Sequence, residues 1–85
     1  MFYVYVLQSL KDGNCYTGYT NDLQKRFREH NEGLEYSTRK RLPFKIIYYE
    51  ACVNEQDAKM RETYLKTGMG KRYIKNLLKY YLKNF

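Results

Sequence analysis

The sequence predicts an α+β domain with one small three-stranded, mainly antiparallel sheet flanked by helices, in the order β-β-α-β-α-α. Three observations predict it. The runs FYVYVLQS at residues 2–9 and FKIIYYEAC at 44–52 combine aromatic and β-branched residues in the manner of strands. Asp12-Gly13 separates the first run from CYTGY, and that dipeptide is a hairpin signal because the turn it favours needs positive φ. After Thr20, and again after Val53, apolar residues recur at helical spacing instead.

The elements follow in order. In the first strand Tyr3, Tyr5 and Leu7 point to one face, and Phe2, Val4 and Val6 to the other. CYTGY is its hairpin partner. Gly18 within it removes a side chain, which weakens the strand but lets another group approach the backbone closely. Thr20 or Asn21 caps the first helix, with Asp22 favourable in its first turn. That helix runs to about His30 or Asn31, and Gly33 suits its stop. GLEYSTRKRLP is a basic loop closed by Pro43, and the third strand follows; pattern alone leaves the place of that strand in the sheet open. Asn54 caps a second helix reaching about Lys66, with Glu55 and Asp57 in its first turn, and TGMG is expected to break it. A third helix is expected from about Lys71 to the end, with Ile74, Leu77, Leu78, Tyr81, Leu82 and Phe85 as its apolar stripe.

With 85 residues the chain is expected to form a single domain over 1–85. The net charge of +7 biases so small a chain toward a polyanion, with nucleic acid first and an acidic membrane surface second. The bias concentrates after Lys59, where Glu62 is the one acidic residue among many lysines and arginines. Eleven tyrosines and no tryptophan suit half-buried sheets and polar clefts. Cys15 and Cys52 are too few for a disulfide framework or a zinc ribbon. No apolar stretch approaches membrane-spanning length and no signal-peptide pattern opens the chain, so the expected location is the cytoplasm with reduced thiols.

Charged residues on the wrong face carry the functional argument. A turn of about 100° per residue gathers Leu23, Phe27, Arg26 and His30 on one side of the first helix. On the second, Glu62 shares the stripe of Ala58 and Leu65, where a carboxylate is costly without a cation or metal. Two arrangements meet that cost: a mutual Arg26–Glu62 ion pair pinning the helices, or a phosphate site. Cleaving a phosphodiester asks for a cation on the oxyanion, a metal to polarise it and a group to activate water. Arginine offers phosphate a planar fork, and a single carboxylate suits magnesium, which keeps most of its waters. His30, taken alone, reads first as a capped or hydrogen-bonded helix-end histidine favoured by the dipole, ahead of a catalytic group.

The chain resembles the GIY-YIG nuclease superfamily, and most closely its short bacterial members, over essentially its whole length. Tyr3-Val4-Tyr5 stands where Gly-Ile-Tyr would be, and Tyr16-Thr17-Gly18 stands for Tyr-Ile-Gly. The spaced tyrosines are followed by DLQKRFREHN, YYEA and AKMRETYLK, and this combination is specific. The resemblance implies that Tyr5 and Tyr16 line a cleft where one of them helps deprotonate or orient water, and that Gly18 lets the substrate backbone come close. It further implies that Arg26 stabilises the cleaved phosphate, that His30 assists proton transfer and that Glu62 holds the metal. The implied cofactor is one magnesium ion, or manganese. The implied activity is endonuclease cleavage of DNA, in repair or processing. Arg39, Lys40 and Arg41 of the loop and Lys71 and Arg72 of the last helix are the expected backbone contacts. Asn76 stands near the position of a late active-site asparagine of some branches, but projects opposite Ile74. The competing readings are a non-catalytic nucleic-acid-binding module and an interaction domain that docks through its last helix.

Overall fold

A computed structural model describes residues 1–84. Strands β1 (Phe2–Ser9), β2 (Cys15–Thr20) and β3 (Phe44–Cys52) form one sheet in the order β2-β1-β3. Both pairings are antiparallel, so β1 is the central strand and β3 lies on its far side from the hairpin. Helices α1 (Leu23–Asn31), α2 (Glu55–Leu65), α3 (Gly68–Leu77) and α4 (Lys79–Lys83) complete the fold, with a short 3₁₀ turn at Arg39–Arg41. The α+β class and the order of strands and helices agree with the expectation; the last expected helix is two helices meeting at Leu78.

The alternation of β1 explains the layers. Val4 and Val6 are buried with Ala58, Leu65 and Ile74, on the side covered by α2 and α3. Tyr5 and Leu7 are buried with Phe44, against Leu23 and Phe27 of α1. An apolar residue at every position reads as a strand buried on both faces, and each fully buried valine or leucine contributes about 1.5–3 kcal/mol. β3 pairs Val6 with Tyr48 and Leu7 with Ile46, so Ile47 is the extra residue of a bulge. That bulge lets Ile47 and Tyr48 both pack on the α2–α3 side.

Several boundaries differ from the sequence reading. Asp22, not Thr20 or Asn21, is the cap of α1: its side chain accepts from the Lys25 backbone N–H. Gly13 takes the expected positive φ of 76°, but Asp12 does not, so a five-residue loop from Leu10 to Asn14 replaces a two-residue turn. α2 ends at Leu65 with Lys66 as its cap, so the break at TGMG is where it was expected, but the next helix begins within that stretch. Thr67 caps α3 by accepting from the Gly70 N–H, and the helix starts at Gly68, before Lys71. Along the expected apolar stripe Ile74 is buried, whereas Leu77 is 45% exposed. The chain bends at Leu78, so one straight stripe cannot serve both helices. Phe85 lies outside the described residues.

Candidate active site

The site is built on the α1 face of the sheet. Tyr5 pairs with Gly18 and Leu7 with Tyr16 across the hairpin, so Tyr5 and Tyr16 rise on the same face. Gly18 has its reason in Tyr5. A Cβ there would lie 2.3 Å from the Tyr5 hydroxyl oxygen, so the missing side chain is the space the phenol fills. The close approach expected of a substrate backbone at Gly18 is thus occupied by Tyr5.

From α1, His30 enters between these rings. It is fully buried, edge-on to Tyr16 with centroids 5.2 Å apart and to Phe44 at 6.2 Å. Its Nε2 lies 3.0 Å from the Tyr5 hydroxyl and its Nδ1 2.8 Å from Thr38 Oγ1. Thr38, in the loop read from sequence as basic, is fully buried. Burial, joined by the positive charge of Arg26, holds the His30 pKa below its usual value and keeps the ring neutral. Burial likewise pushes the Tyr5 hydroxyl up to about 12, against the hydrogen bond from Arg26. Tyr5 is 1% exposed and closed to solvent, whereas Tyr16 is half-buried.

Arg26 lies at the rim, with its side chain 28% exposed. It pairs with Glu29 one turn along the helix at 3.2 Å and with Glu35 in the following loop, and its charge acts on the Tyr5 hydroxyl. Burial works against its charge, but these partners outweigh burial and hold its pKa above the ordinary arginine value. The sequence alternative of an Arg26–Glu62 pair does not form: Glu62 bonds Lys66 at 3.1 Å, four residues along α2.

Glu62 comes from the opposite layer. Its charge adds slightly to the raised pKa of Tyr5 and Tyr19, from the face of the sheet opposite α1. The Glu62 side chain is 23% exposed, and among the described residues no cluster of three metal-ligating side chains forms. One carboxylate of this kind fits magnesium or manganese, which accept one or two protein carboxylates and keep water in the other positions; it does not fit structural zinc.

The expected backbone contacts are not gathered in one place. Arg41 is tied to Asp12 at 3.4 Å, and Lys40 lends its carbonyl to Lys11. Arg39 lies over the ring of exposed Tyr36, 4.5 Å from its centroid. Lys71 lines a recess of about 420 Å³ on the α2–α3 side with Val6, Thr17 and Leu65. Arg72 turns toward Met69, Tyr73 and Asn76. Asn76 is exposed and away from the core, as its position opposite Ile74 predicts. Sequence reasoning missed Glu29, Glu35 and Thr38. Glu29 was legible as the i+3 neighbour of Arg26, but nothing local marks the other two, because loop closure brings them in.

His30 also sets an acid limit on stability. Its folded pKa is depressed, so the unfolded chain binds the proton more readily. The contribution is fully present above about pH 6.5 and lost as pH falls through the lower folded value. Denaturant midpoints should be flat from pH 8 to 7 and decline as pH falls below about 6.5, before the carboxylates titrate. A midpoint unchanged across that window would show that His30 charges freely in the fold.

The same motifs and fold recur in known proteins. The family model of the GIY-YIG catalytic domain matches residues 1–76. The chain is 46% identical over 67 residues to the UPF0213 protein CPE1444 of Clostridium perfringens, spanning 78% of this chain and 71% of that one. It is 40% identical over 86 residues to a UPF0213 protein of Pediococcus acidilactici, spanning 98% and 82%. The solution structure of the UPF0213 protein BH0048 from Bacillus halodurans superposes with a TM-score of 0.56 at 35% identity, over 91% of this chain and 85% of that one. The chain belongs to the GIY-YIG family, whose catalytic domains are nucleases acting on nucleic acid, and stands among its UPF0213 members.

Proposed function

We propose that the chain is a magnesium-dependent endonuclease that hydrolyses phosphodiester bonds in DNA, in repair or processing within the cytoplasm. The observation that carries this reading is partly exposed Arg26 on the same helix as His30, whose buried ring meets the Tyr5 hydroxyl at 3.0 Å and lies edge-on to half-buried Tyr16. No helix among the described residues is long and apolar enough to cross a membrane, and the charge of +7 favours a polyanion.

Each residue has a role in this reading. The Arg26 fork takes the non-bridging oxygens of the scissile phosphate, displacing Glu29 and Glu35 in part, and stabilises the charge that grows there. Tyr16, the tyrosine with access to water, orients the attacking molecule. The water oxygen forms the new bond to phosphorus as the bond to the leaving oxygen breaks; the water gives up a proton and the leaving oxygen takes one from solvent. Tyr5 and His30 are closed to solvent. Glu62 would hold magnesium or manganese, which would supply Lewis-acid polarisation of the phosphate.

Labelled duplex, single-stranded and branched DNA, each with and without magnesium, test this reading. Cleavage that requires the metal supports it, and binding without cleavage under all conditions favours the non-catalytic module. In either case affinity should fall steeply with salt, with a logarithmic slope of about −0.9 per duplex phosphate neutralised. Affinity flat between low and moderate salt would point to a protein-docking domain instead.

A further inference from the structure

On the reading that Arg26 holds the scissile phosphate, we propose that Thr38 is a positioning residue: it accepts from His30 Nδ1, fixes the neutral ring in the Nδ1–H form and so leaves Nε2 to accept from the Tyr5 hydroxyl beside Arg26. The contacts are Tyr5 to His30 Nε2 at 3.0 Å and His30 Nδ1 to Thr38 Oγ1 at 2.8 Å, with the Arg26 charge close enough to act on the Tyr5 phenol.

The direction of these bonds follows from what each group can do. Arginine has no acceptor to offer, so the Arg26 cation near the Tyr5 oxygen cannot take the phenol proton. The phenol proton of a tyrosine that is 1% exposed then needs an acceptor, and His30 Nε2 is the one beside it. A bare Nε2 requires the proton on Nδ1, which donates to Thr38. Both bonds then run one way, from the phenol to the buried threonine, and each strengthens the other. In the other tautomer His30 donates into the Tyr5 oxygen, and the Tyr5 proton loses its acceptor. Of the two hydroxyls contending for an imidazole lone pair, the phenol is much the stronger acid, which favours the same form. The low His30 pKa agrees with a neutral ring whose tautomer matters. The loop that carries Thr38 also carries Glu35, so one short segment secures both Arg26 and His30.

The chain has one histidine, so its ring nitrogens can be read without ambiguity in a long-range proton–nitrogen correlation on ¹⁵N-labelled protein. Wild type at pH 7.5 should show protonated Nδ1 and bare Nε2. Thr38→Ser keeps the acceptor and should keep both this signature and kcat. Thr38→Val keeps the shape and removes the acceptor; it should mix the tautomers and lower kcat on a cleaved DNA roughly ten- to a hundredfold, with KM nearly unchanged. A wild-type ring protonated on Nε2 overturns the proposal, as does a Thr38→Val protein with wild-type signature and kcat. Should Thr38→Val fail to fold, the wild-type spectrum and Thr38→Ser decide. A wild-type protein that cleaves nothing removes the nuclease reading, and the ring spectrum alone then decides what Thr38 does.

Discussion

Arg26→Ala is expected to lower phosphodiester cleavage on the order of 10²-fold or more, the cost of removing one preorganised donor from a developing oxyanion. The fold should survive. The guanidinium is a rim group, and its ion pairs with Glu29 and Glu35 are of the partly exposed kind that contribute about 0–1 kcal/mol each. Their sum does not approach the whole stability of a small domain, about 5 kcal/mol or more. The rate loss should appear mainly in kcat, because the phosphate charge that Arg26 meets grows in the transition state. Cleavage assays beside thermal unfolding of both proteins separate the two effects. A large fall in melting temperature with cleavage unchanged would show Arg26 to be a pin between α1 and its following loop, and nothing more.

How far the site is legible in the sequence depends on how far each contact lies along the chain. Tyr5, Tyr16 and Gly18 sit on one hairpin, so alternation and turn chemistry alone put them on one face. Arg26 and His30 follow from helical period, one turn apart. What periodicity cannot give is a partner supplied by loop closure. Thr38 reaches His30 only because residues 34–43 fold back onto the end of β1, where Ser9 Oγ donates to the Arg41 carbonyl. Nor does a helical wheel give depth. It puts Glu62 and Arg26 alike beside an apolar stripe, yet a whole sheet separates their helices. The Tyr5 hydroxyl, expected in a wet cleft, is buried because β1 is the central strand, and a central strand with helices on both faces has no wet side.

That separation sharpens the test at Glu62. A buried partner of Arg26 would have cost about 3–5 kcal/mol on neutralisation, because the change strands an unpaired guanidinium. Glu62 instead pairs with half-exposed Lys66, an i,i+4 surface pair contributing about 0.3–0.5 kcal/mol. Glu62→Gln keeps the shape and removes the charge, so unfolding in a chelator should move by no more than that. Metal-dependent cleavage should fall to background, since among the described residues no cluster of three ligating side chains is there to hold the ion in its place. Affinity for DNA should hold or rise, because a negative charge leaves a surface that meets phosphate. Wild-type and Glu62→Gln proteins compared for melting in chelator, DNA binding and cleavage across a magnesium titration give all three readouts. A variant that cuts at the wild-type rate with magnesium would end the metal-site proposal. A variant that loses several kcal/mol in chelator would make Glu62 a structural group. The combination of unchanged melting, retained binding and lost cleavage is the result that only a metal-holding carboxylate produces.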